Sequence, residues 1–367
     1  MKLENLQMTG SFKERGGCNI LEMMNTAERK RGVICASAGN HAQGVALHAK
    51  RLSIDATIVM PEATPLTKVQ NTRKLGGKVI LFGTDYDEAF DEAQRICEAE
   101  RRMFVHAFDD ERVIAGQGTI GLELLEQVPS LDAVVVPIGG GGLAAGVALA
   151  IKALRPTVRV YGVQTAVLPS MKAALESGEP TTLSPARTLA EGIAVRRVGR
   201  LPFELIQKYV DDIVVVDEEE IAEAMLMLIE EEKTVAEGAG AAALAALVHR
   251  RLPLEDQNVA VIVSGGNIDV HMVSRVIERG MVKSGRMARR WVRIADAAGS
   301  LARLTRLLAD VGANVVQIHH DRTFAIDLSE ALVELVIETR GFDHIAEVES
   351  ALASGGYKIE RGGLGPV

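Results

Sequence analysis

The sequence of 367 residues is poor in aromatic side chains, which make up 4% of the chain and include a single tryptophan. A core with so few rings must be filled mainly by alanine, valine, leucine and isoleucine. Such side chains are typical of buried parallel strands that helices cover on both faces. The shortage of aromatic residues therefore favours an α/β protein, and the length predicts two or three domains.

Cysteine is equally scarce. Cys18, Cys35 and Cys97 are an odd number and lack CxxC spacing, so the sequence indicates neither a disulfide framework nor a metal site of the zinc type. Charged residues among the first fifteen positions interrupt any apolar core of a secretory signal. We therefore expect a cytoplasmic protein.

An excess of positive charge is also missing. The chain has 41 Lys and Arg against 49 Asp and Glu, a formal net charge of −8. Nucleic-acid binders usually present a basic face, so no nucleic-acid partner is expected.

Only one apolar run is long enough to suggest a membrane span, because no charged residue lies between Asp132 and Lys152. A spanning helix needs about 20 apolar residues, but this run contains Pro137 and four consecutive glycines, which would break it and leave backbone groups unpaired in lipid. The run predicts a strand, a loop and a helix, with no membrane partner.

Short β-branched runs alternate with longer helical patterns along most of the chain, which is typical of a parallel sheet with crossover helices. The predicted strands are Val33–Cys35, Ala56–Met60, Lys78–Phe82, Ala133–Ile138, Val158–Val163, Ile213–Val216 and Val259–Val263. The candidate helices include Ala42–Arg51, Tyr86–Arg101, Leu143–Leu154 and Glu218–Glu232.

A second module is predicted after a basic, poorly periodic linker at 283–290. Its elements follow the order βαββαβ of the ferredoxin-like split motif, which suggests a regulatory or dimerising appendage. They are predicted at Trp291–Ala295, Ser300–Ala309, Asn314–His319, Ala331–Thr339, Phe342–Ala353 and Tyr357–Glu360.

Three predicted strands end in short glycine-containing turns that lead into a helix, and ligands collect at such carboxyl ends of an open sheet. Glycine lets backbone N–H groups converge, and a helix N-terminus adds partial positive charge. The four-glycine turn therefore suggests a phosphate cradle, although a tight turn without a ligand remains an alternative for this feature alone. The turns are Ser37-Ala38-Gly39-Asn40-His41, Gly139-Gly140-Gly141-Gly142-Leu143 and Ser264-Gly265-Gly266-Asn267.

These turns occur together with a lysine motif, Thr9-Gly10-Ser11-Phe12-Lys13, and with Ala-Gln-Gly after His41. In this order, the four motifs resemble those of the fold-type II pyridoxal phosphate enzymes, the tryptophan synthase β-like fold, and within them the threonine dehydratases (threonine ammonia-lyases). The resemblance implies a catalytic region at 1–282, with a smaller subdomain at 18–115. The module at 291–367 is similar to the ACT-like regulatory domain of many members.

The resemblance also implies roles for individual residues. Lys13 is expected to bond covalently to the cofactor aldehyde and later to remove the substrate α-proton; a lysine shielded from water has the lowered pKa that this requires. The implied cofactor-binding set is Lys13, Phe12, Asn40, Gly139, Gly140, Gly141, Gly142, Leu143, Gly192 and Ser264. The substrate carboxylate is expected at Ser37, Ala38, Gly39, Asn40 and His41.

Two side chains keep more than one interpretation. His41 could serve as a base, but a histidine that orients the loop is favoured because Lys13 already supplies the base. Glu237 lies in a run of small apolar residues and could approach the cofactor, shape a cation site or cap a helix.

The implied reaction is the dehydration and deamination of L-threonine to 2-oxobutanoate and ammonia, with L-serine as a secondary substrate. A serine dehydratase or racemase is the alternative within the family, but Ala38 stands where racemases carry an acid/base serine. The family usually has a further segment before Lys2, so a non-catalytic amino-acid sensor is a second alternative. A homodimer or homotetramer and an amino-acid effector at the ACT-like module are expected, and isoleucine biosynthesis and threonine breakdown both remain open.

Overall fold

The residues described here, 1–322 and 329–360, come from a computed structural model and fall into two units, Met1–Asp269 and Val270–Val367. The strands are β1 Lys2–Leu3, β2 Val33–Ala36, β3 Ala56–Met60, β4 Lys78–Leu81, β5 Met103–Phe104, β6 Ala133–Pro137, β7 Arg159–Thr165, β8 Asp212–Val216, β9 Val259–Val263, β10 Met287–Ala295, β11 Asn314–Asp321, β12 Glu330–Glu338 and β13 Lys358–Glu360.

Helices follow most of these strands. They are α1 Lys13–Glu22, α2 Thr26–Arg31, α3 Asn40–Arg51, α4 Leu66–Lys74, α5 Tyr86–Glu100, α6 Glu111–Gln127, α7 Gly142–Leu154, α8 Ser170–Ser177, α9 Arg200–Tyr209, α10 Glu218–Glu230, α11 Gly238–Val248, α12 Val270–Lys283, α13 Ser300–Asp310 and α14 Phe342–Ser354. Two short 3-10 helices lie at Glu4–Leu6 and Glu191–Ile193.

The first unit contains two parallel sheets, and the predicted α/β class is confirmed. Five strands in the order β1-β9-β6-β7-β8 form one sheet, which with α6 to α11 we call the large lobe. Four strands in the order β4-β3-β2-β5 form the other, which with α3 to α5 we call the small lobe. Every residue of β2, β3 and β6 is buried, as expected for strands covered on both faces.

Helix α1, which begins at Lys13, packs against α3 and α6. Glycines permit this close approach: a Cβ on Gly116 of α6 would lie only 2.6 Å from the backbone oxygen of Arg15. The charge-free run after Asp132 forms β6, a turn and α7, as predicted. Within the described ranges, none of the helices combines the length and apolar character that a bilayer crossing requires.

The second unit contains a four-stranded antiparallel sheet in the order β11-β12-β10-β13. Its elements after α12 follow the predicted order βαββαβ. The alternate residues of β12 that begin at Ala331 are buried, and they share one apolar core with α13 and α14. The sheet is compatible with an ACT-like domain, an assignment that stays a prediction.

The predicted linker at 283–290 differs from the structure. Helix α12 extends to Lys283 and belongs to the second unit, and β10 begins at Met287. The sequence did not reveal the start of β10, because the only buried residue of this strand before Val292 is the small Ala288. Arg289 forms an ion pair with Glu334, and Arg290 forms one with Glu349. These two basic residues therefore belong to a folded strand and not to a linker.

Candidate active site

The carboxyl ends of β2, β6 and β9 open onto one cavity of about 740 Å³ in the first unit. Strand β2 belongs to the small lobe, whereas β6 and β9 belong to the large lobe. The three predicted turns therefore lie together, although more than 200 positions of the chain separate the first turn from the third. The site residues predicted from the sequence that line the cavity are Phe12, Lys13, Ser37, Gly39, Asn40, His41, Gly139, Gly140, Gly141, Gly142, Leu143, Gly192 and Ser264.

Ala38 is the one predicted site residue that is not part of this lining. It is partly buried and packs against the small-lobe core that lies beneath α3. The substrate contact at Ala38 stays a prediction.

Lys13 is the first residue of α1, and its Nζ donates a hydrogen bond to the backbone carbonyl of Ala107 at 2.9 Å. Burial lowers the pKa of Lys13 from its ordinary value to about 8, and the negative charge of Glu237 opposes part of this shift. A substantial share of this amine is therefore neutral near physiological pH, which nucleophilic and basic chemistry requires.

The four-glycine turn rests directly on Phe108. A Cβ on Gly140 would overlap the phenyl ring of Phe108, and a Cβ on Gly142 would lie 2.9 Å from its Cα. Gly141 has a φ of +98°, in the left-handed region that favours glycine. Helix α7 starts at Gly142, so the turn presents its N–H groups at a helix N-terminus in the cavity wall, an arrangement suited to a phosphate.

Asn40 lies in a chain of hydrogen bonds that crosses the cavity wall. Its Nδ2 donates to Oε1 of Glu237 at 2.8 Å, and its Oδ1 accepts from Nδ2 of Asn267 at 2.8 Å. Asn267 also donates to the carbonyl of Thr9 at 2.6 Å. These partners fix the orientation of the Asn40 amide, because its nitrogen faces an acceptor on Glu237 and its oxygen faces a donor on Asn267.

Glu237 stands at the N-cap position of α11, but its side chain makes no capping hydrogen bond. Of the interpretations left open by the sequence, helix capping is therefore not supported, and Glu237 instead lines the cavity. Burial raises the pKa of Glu237 to about 7, and the hydrogen bond from Asn40 opposes this shift. The carboxyl group therefore titrates in the physiological range.

His41 is 4% exposed, and its Nε2–H donates to the backbone carbonyl of Val105 at 2.9 Å. Burial lowers the pKa of His41 to about 3. The ring is therefore neutral at physiological pH and joins the start of α3 to the end of β5. This placement agrees with a histidine that orients the loop.

Ser264 follows β9 and is buried, and its Oγ donates to the carbonyl of Ala239 at 3.3 Å. Its backbone carbonyl accepts the N–H of Phe12 at 3.0 Å, which ties the lysine motif to the end of β9. Gly192 lies in the short helix Glu191–Ile193, where a Cβ would lie 2.9 Å from the methyl group of Ala239.

Further residues of the cavity wall were not predicted from the sequence. Phe108 and Ala107 follow β5, a strand of two residues that is too short for a periodic signal. Others lie in the irregular stretch between α8 and α9, where no apolar period exists. The unpredicted lining residues are Ala36, Asp85, Tyr86, Asp87, Ala107, Phe108, Pro137, Thr182, Pro185, Glu191, Ile193, Ala194, Val195, Arg196, Arg197 and Ala239.

A family described as "Pyridoxal-phosphate dependent enzyme" matches residues 1–265. The chain belongs to this family. The predicted fold-type II assignment and the predicted cofactor, pyridoxal phosphate, are thereby confirmed.

Individual relatives point in the same direction. The chain is 50% identical over 360 residues to an L-threonine ammonia-lyase of Thermotoga maritima, a match that covers 98% of this chain and 90% of the relative. Among solved structures, the processed form of threonine deaminase isoform 2 from Solanum lycopersicum matches with a TM-score of 0.73 and 39% identity over 76% of this chain and 81% of that one. Maize serine racemase matches with a TM-score of 0.70 and 35% identity over 76% and 87%.

The residues of the cavity fit the cofactor of this family. The glycine turn presents N–H groups at the start of α7, and its crowded contact with Phe108 leaves no room for side chains. Lys13 carries an amine of lowered pKa in the same cavity. A phosphate-bearing aldehyde needs both features, an anion cradle and a neutral amine.

Proposed function

We propose that this protein is an L-threonine ammonia-lyase that converts L-threonine into 2-oxobutanoate and ammonia. L-Serine is the secondary substrate and gives pyruvate. The observation that carries the proposal is the amine of Lys13, which has a pKa of about 8 and shares one cavity with the four-glycine turn. The name and the 50% identity of the Thermotoga maritima relative support the choice of threonine.

We further propose how the chain holds its cofactor. The N–H groups from Gly139 to Leu143 would bind the phosphate, and Asn40 would donate its second Nδ2 hydrogen to the phenolic oxygen. Ser264 would face the ring nitrogen, and Phe12 and Gly192 would lie on the two faces of the ring. All these residues line the cavity.

Pyridoxal phosphate, when bound, withdraws electron density from the α-carbon of the amino acid. The hydroxyl group of Ser264 is neutral and, unlike a carboxylate, does not hold the ring nitrogen in its protonated form. A weaker electron sink favours loss of the β-hydroxyl group as charge develops, which is the step that dehydration requires. The residue type at position 264 therefore agrees with elimination.

Lys13 supplies the base. Its Nζ would accept the α-proton, because burial leaves the amine partly neutral, and the carbonyl of Ala107 would keep that amine directed into the cavity. The adjacent aromatic ring of Phe12, whose centroid lies 5.2 Å from Nζ, limits the space in which the amine can move.

The turn from Ser37 to His41 would bind the substrate carboxylate at the start of α3. Ser37 Oγ accepts the N–H groups of Gly39 and Ala42 at 3.2 and 3.3 Å, which shapes the turn. A Cβ on Gly39 would meet no atom within 4 Å, so the space above this glycine is open. A carboxylate at a helix N-terminus is stabilised by N–H groups and the helix dipole.

Racemisation is disfavoured by Ala38. Inversion of the α-carbon needs a second proton donor on the face opposite Lys13, and an alanine methyl group carries no exchangeable proton. Its position against the small-lobe core supports the same conclusion.

We also propose a cytoplasmic homodimer or homotetramer whose second unit, an ACT-like domain, binds an amino-acid effector. The antiparallel sheet and the βαββαβ order support this proposal. Sedimentation of the purified protein and calorimetric titration with single amino acids test it.

The direct test of the activity is a keto-acid assay on cofactor-loaded protein with L-threonine and L-serine. We expect 2-oxobutanoate and ammonia in equal amounts from threonine, slower pyruvate formation from serine and no D-serine. Folded, cofactor-loaded protein that binds threonine but forms no 2-oxobutanoate would instead fit an amino-acid sensor and contradict the proposal.

A further inference from the structure

The segment 105–109, which follows β5, contacts the catalytic lysine and the start of α3 through its backbone. The carbonyl of Val105 accepts the Nε2–H of His41 at 2.9 Å. The carbonyl of Ala107 accepts a hydrogen bond from Lys13 Nζ, also at 2.9 Å. Two groups of the candidate site therefore take their orientation from this segment.

The same segment supports the glycine turn and α9 through side chains. The ring of Phe108 fills the space where a side chain on Gly140 would lie, and its Cα, Cβ and carbonyl oxygen fill that of Gly142. The carboxylate of Asp109 accepts the first two N–H groups of α9 at 3.0 Å each. A shift of this segment would therefore move the proposed phosphate cradle as well as the lysine contact.

His106 lies at the centre of the segment and closes it into a tight turn. Its Nδ1 accepts the backbone N–H of Asp109 at 2.9 Å and that of Phe108 at 3.3 Å. Because a backbone N–H can only donate, Nδ1 must be the unprotonated ring nitrogen, and the proton is on Nε2. The ring also contacts Phe108 edge to face, with centroids 4.7 Å apart and planes at 86°.

We propose that His106 is a positioning residue for the reaction proposed above: its unprotonated Nδ1 holds segment 105–109 in the conformation that sets Phe108 beneath the glycine turn and the Ala107 carbonyl at Lys13. The expected effect on catalysis rests on the proposed function. The orientation of the His106 ring does not, because it follows from the hydrogen bonds alone.

Burial keeps the ring of His106 neutral, and the charges around it act in both directions. Burial lowers its pKa, Asp109 opposes that shift, Lys13 adds to it and Asp110 opposes it. His41, the other ring nearby, is itself neutral. Protonation at acid pH would place a hydrogen on Nδ1, and the N–H groups of Phe108 and Asp109 would then lose their acceptor. These N–H groups are partly buried, and partly buried donors without a partner are costly, so the turn would open.

A purely packing role is the competing explanation, because His106 also lies within 6.3 Å of the ring centroids of Phe90 and Phe104. Two substitutions separate the explanations. His106→Asn keeps an acceptor, the amide oxygen, near the position of Nδ1 but removes the ring. His106→Phe keeps an aromatic ring of similar size but removes the acceptor.

The experiment titrates each full-length apoprotein with pyridoxal phosphate and then measures kcat and KM for L-threonine. We expect His106→Phe to weaken cofactor binding about tenfold, as the loss of an acceptor for two partly buried N–H groups predicts, and to lower kcat. We expect His106→Asn to stay within a few fold of the original protein and to lose less affinity at acid pH. An equal loss in both variants, a greater loss in His106→Asn, or no loss in His106→Phe would contradict the proposal.

A second readout does not depend on the reaction. Nitrogen NMR of histidine-labelled apoprotein, with the His106 signals assigned by their absence from His106→Asn, reports which ring nitrogen carries the proton. We expect an unprotonated, hydrogen-bonded Nδ1 that persists below the ordinary pKa of histidine. A proton on Nδ1 at neutral pH would overturn the inference even in an active enzyme, whereas the expected signal from an inactive protein would leave the ring's role intact and reject only the proposed function.

Discussion

The amine of Lys13 donates a hydrogen bond to the backbone carbonyl of Ala107 at 2.9 Å. The contact joins the first residue of α1 to the segment that follows β5, two parts of the chain about ninety positions apart. Because the carbonyl is fixed by its neighbours, the amine is oriented before any ligand is present. Burial at the same position lowers the pKa of Lys13 to about 8. The contact with Ala107 therefore sets the direction of this side chain, and burial sets its reactivity.

Replacement of this lysine should abolish turnover. We expect Lys13→Ala to lower the rate of 2-oxobutanoate formation by at least about 10²–10⁴-fold, the contribution typical of a positioned general base, and to leave a colourless protein after gel filtration. Lys172→Ala, at an exposed position on α8, is the matched control and should remain yellow and active. Turnover that survives in Lys13→Ala would rule out the assigned base.

The pH at which Lys13 reacts gives a second prediction. In the cofactor-free protein, the rate of reaction of Lys13 with an amine-selective reagent should rise with pH through about 8, because only the neutral amine is nucleophilic. Exposed lysines should require a higher pH, near their ordinary pKa of about 10.4. A Lys13 profile that coincides with theirs would contradict the buried, desolvated setting.

A substitution of Glu237 tests how a neighbouring charge changes the pKa of Lys13. Its negative charge raises the pKa of Lys13 and thereby offsets part of the effect of burial. We therefore expect Glu237→Gln, which keeps an oxygen that can accept from Asn40, to shift the reactivity profile of Lys13 to lower pH. A shift in the opposite direction would show that the two groups do not interact as described.

The contact between the glycine turn and Phe108 predicts the effect of an added methyl group. In Gly140→Ala the new Cβ would overlap the Phe108 ring, and overpacking of this kind costs about 1–3 kcal/mol. We expect weaker cofactor binding, measured by absorption titration. Adding Phe108→Ala makes room for the methyl group, so the loss in the double variant should be smaller than the sum of the two single losses. Strictly additive losses would argue against the contact.

Arg15 gives a prediction about stability. It donates to both Glu4 and Glu123, and the Glu4 side chain is only 2% exposed. Arg15→Ala leaves that carboxylate buried without its partner, so we expect a loss of about 3 kcal/mol in unfolding free energy at pH 7. Arg200→Ala, which breaks an exposed pair with Glu204, should change stability little in the same denaturant titration.

The loss of stability in Arg15→Ala should depend on pH, and the direction of this dependence follows from the pKa of Glu123. The hydrogen bond from Arg15 holds the pKa of Glu123 below its ordinary value, at about 2. A lowered carboxyl pKa stabilises the fold above the ordinary pKa, and this stabilisation is lost as the pH falls toward the lowered one. The difference between Arg15→Ala and the original protein should therefore shrink from pH 5 toward pH 2. A constant difference would mean that the ion pair contributes nothing.

The sequence predicted the buried strands well because continuous apolar runs carry a strong signal. Strands Ala56–Met60 and Val259–Val263 have the bounds that were predicted. Strand β5 was not predicted, because two residues are too few to show a periodic pattern. The sequence therefore contained no indication that Ala107 and Phe108, which follow this strand, belong to the site. Their contacts with Lys13 and the glycine turn are tertiary, and no local pattern encodes them.

The site itself was predictable to the extent that motifs mark it. The turns after β2, β6 and β9 were found because glycines and small polar residues follow apolar runs. The contact of Ala38 with the small-lobe core could not be predicted, because a turn motif does not specify which of its residues packs against a core. Glu237 illustrates the same limit: a carboxylate before a helix is consistent with capping, and only the position of Asn40 in space shows otherwise.

The most direct measurement of the central claim is borohydride reduction of the cofactor-loaded protein followed by peptide mapping. Reduction makes the bond between cofactor and amine permanent, so the modified peptide identifies the residue. We predict a single adduct on Lys13, in the peptide that carries Gly10, Ser11 and Phe12. An adduct on another lysine, or none from protein that retains its yellow colour, would contradict the account.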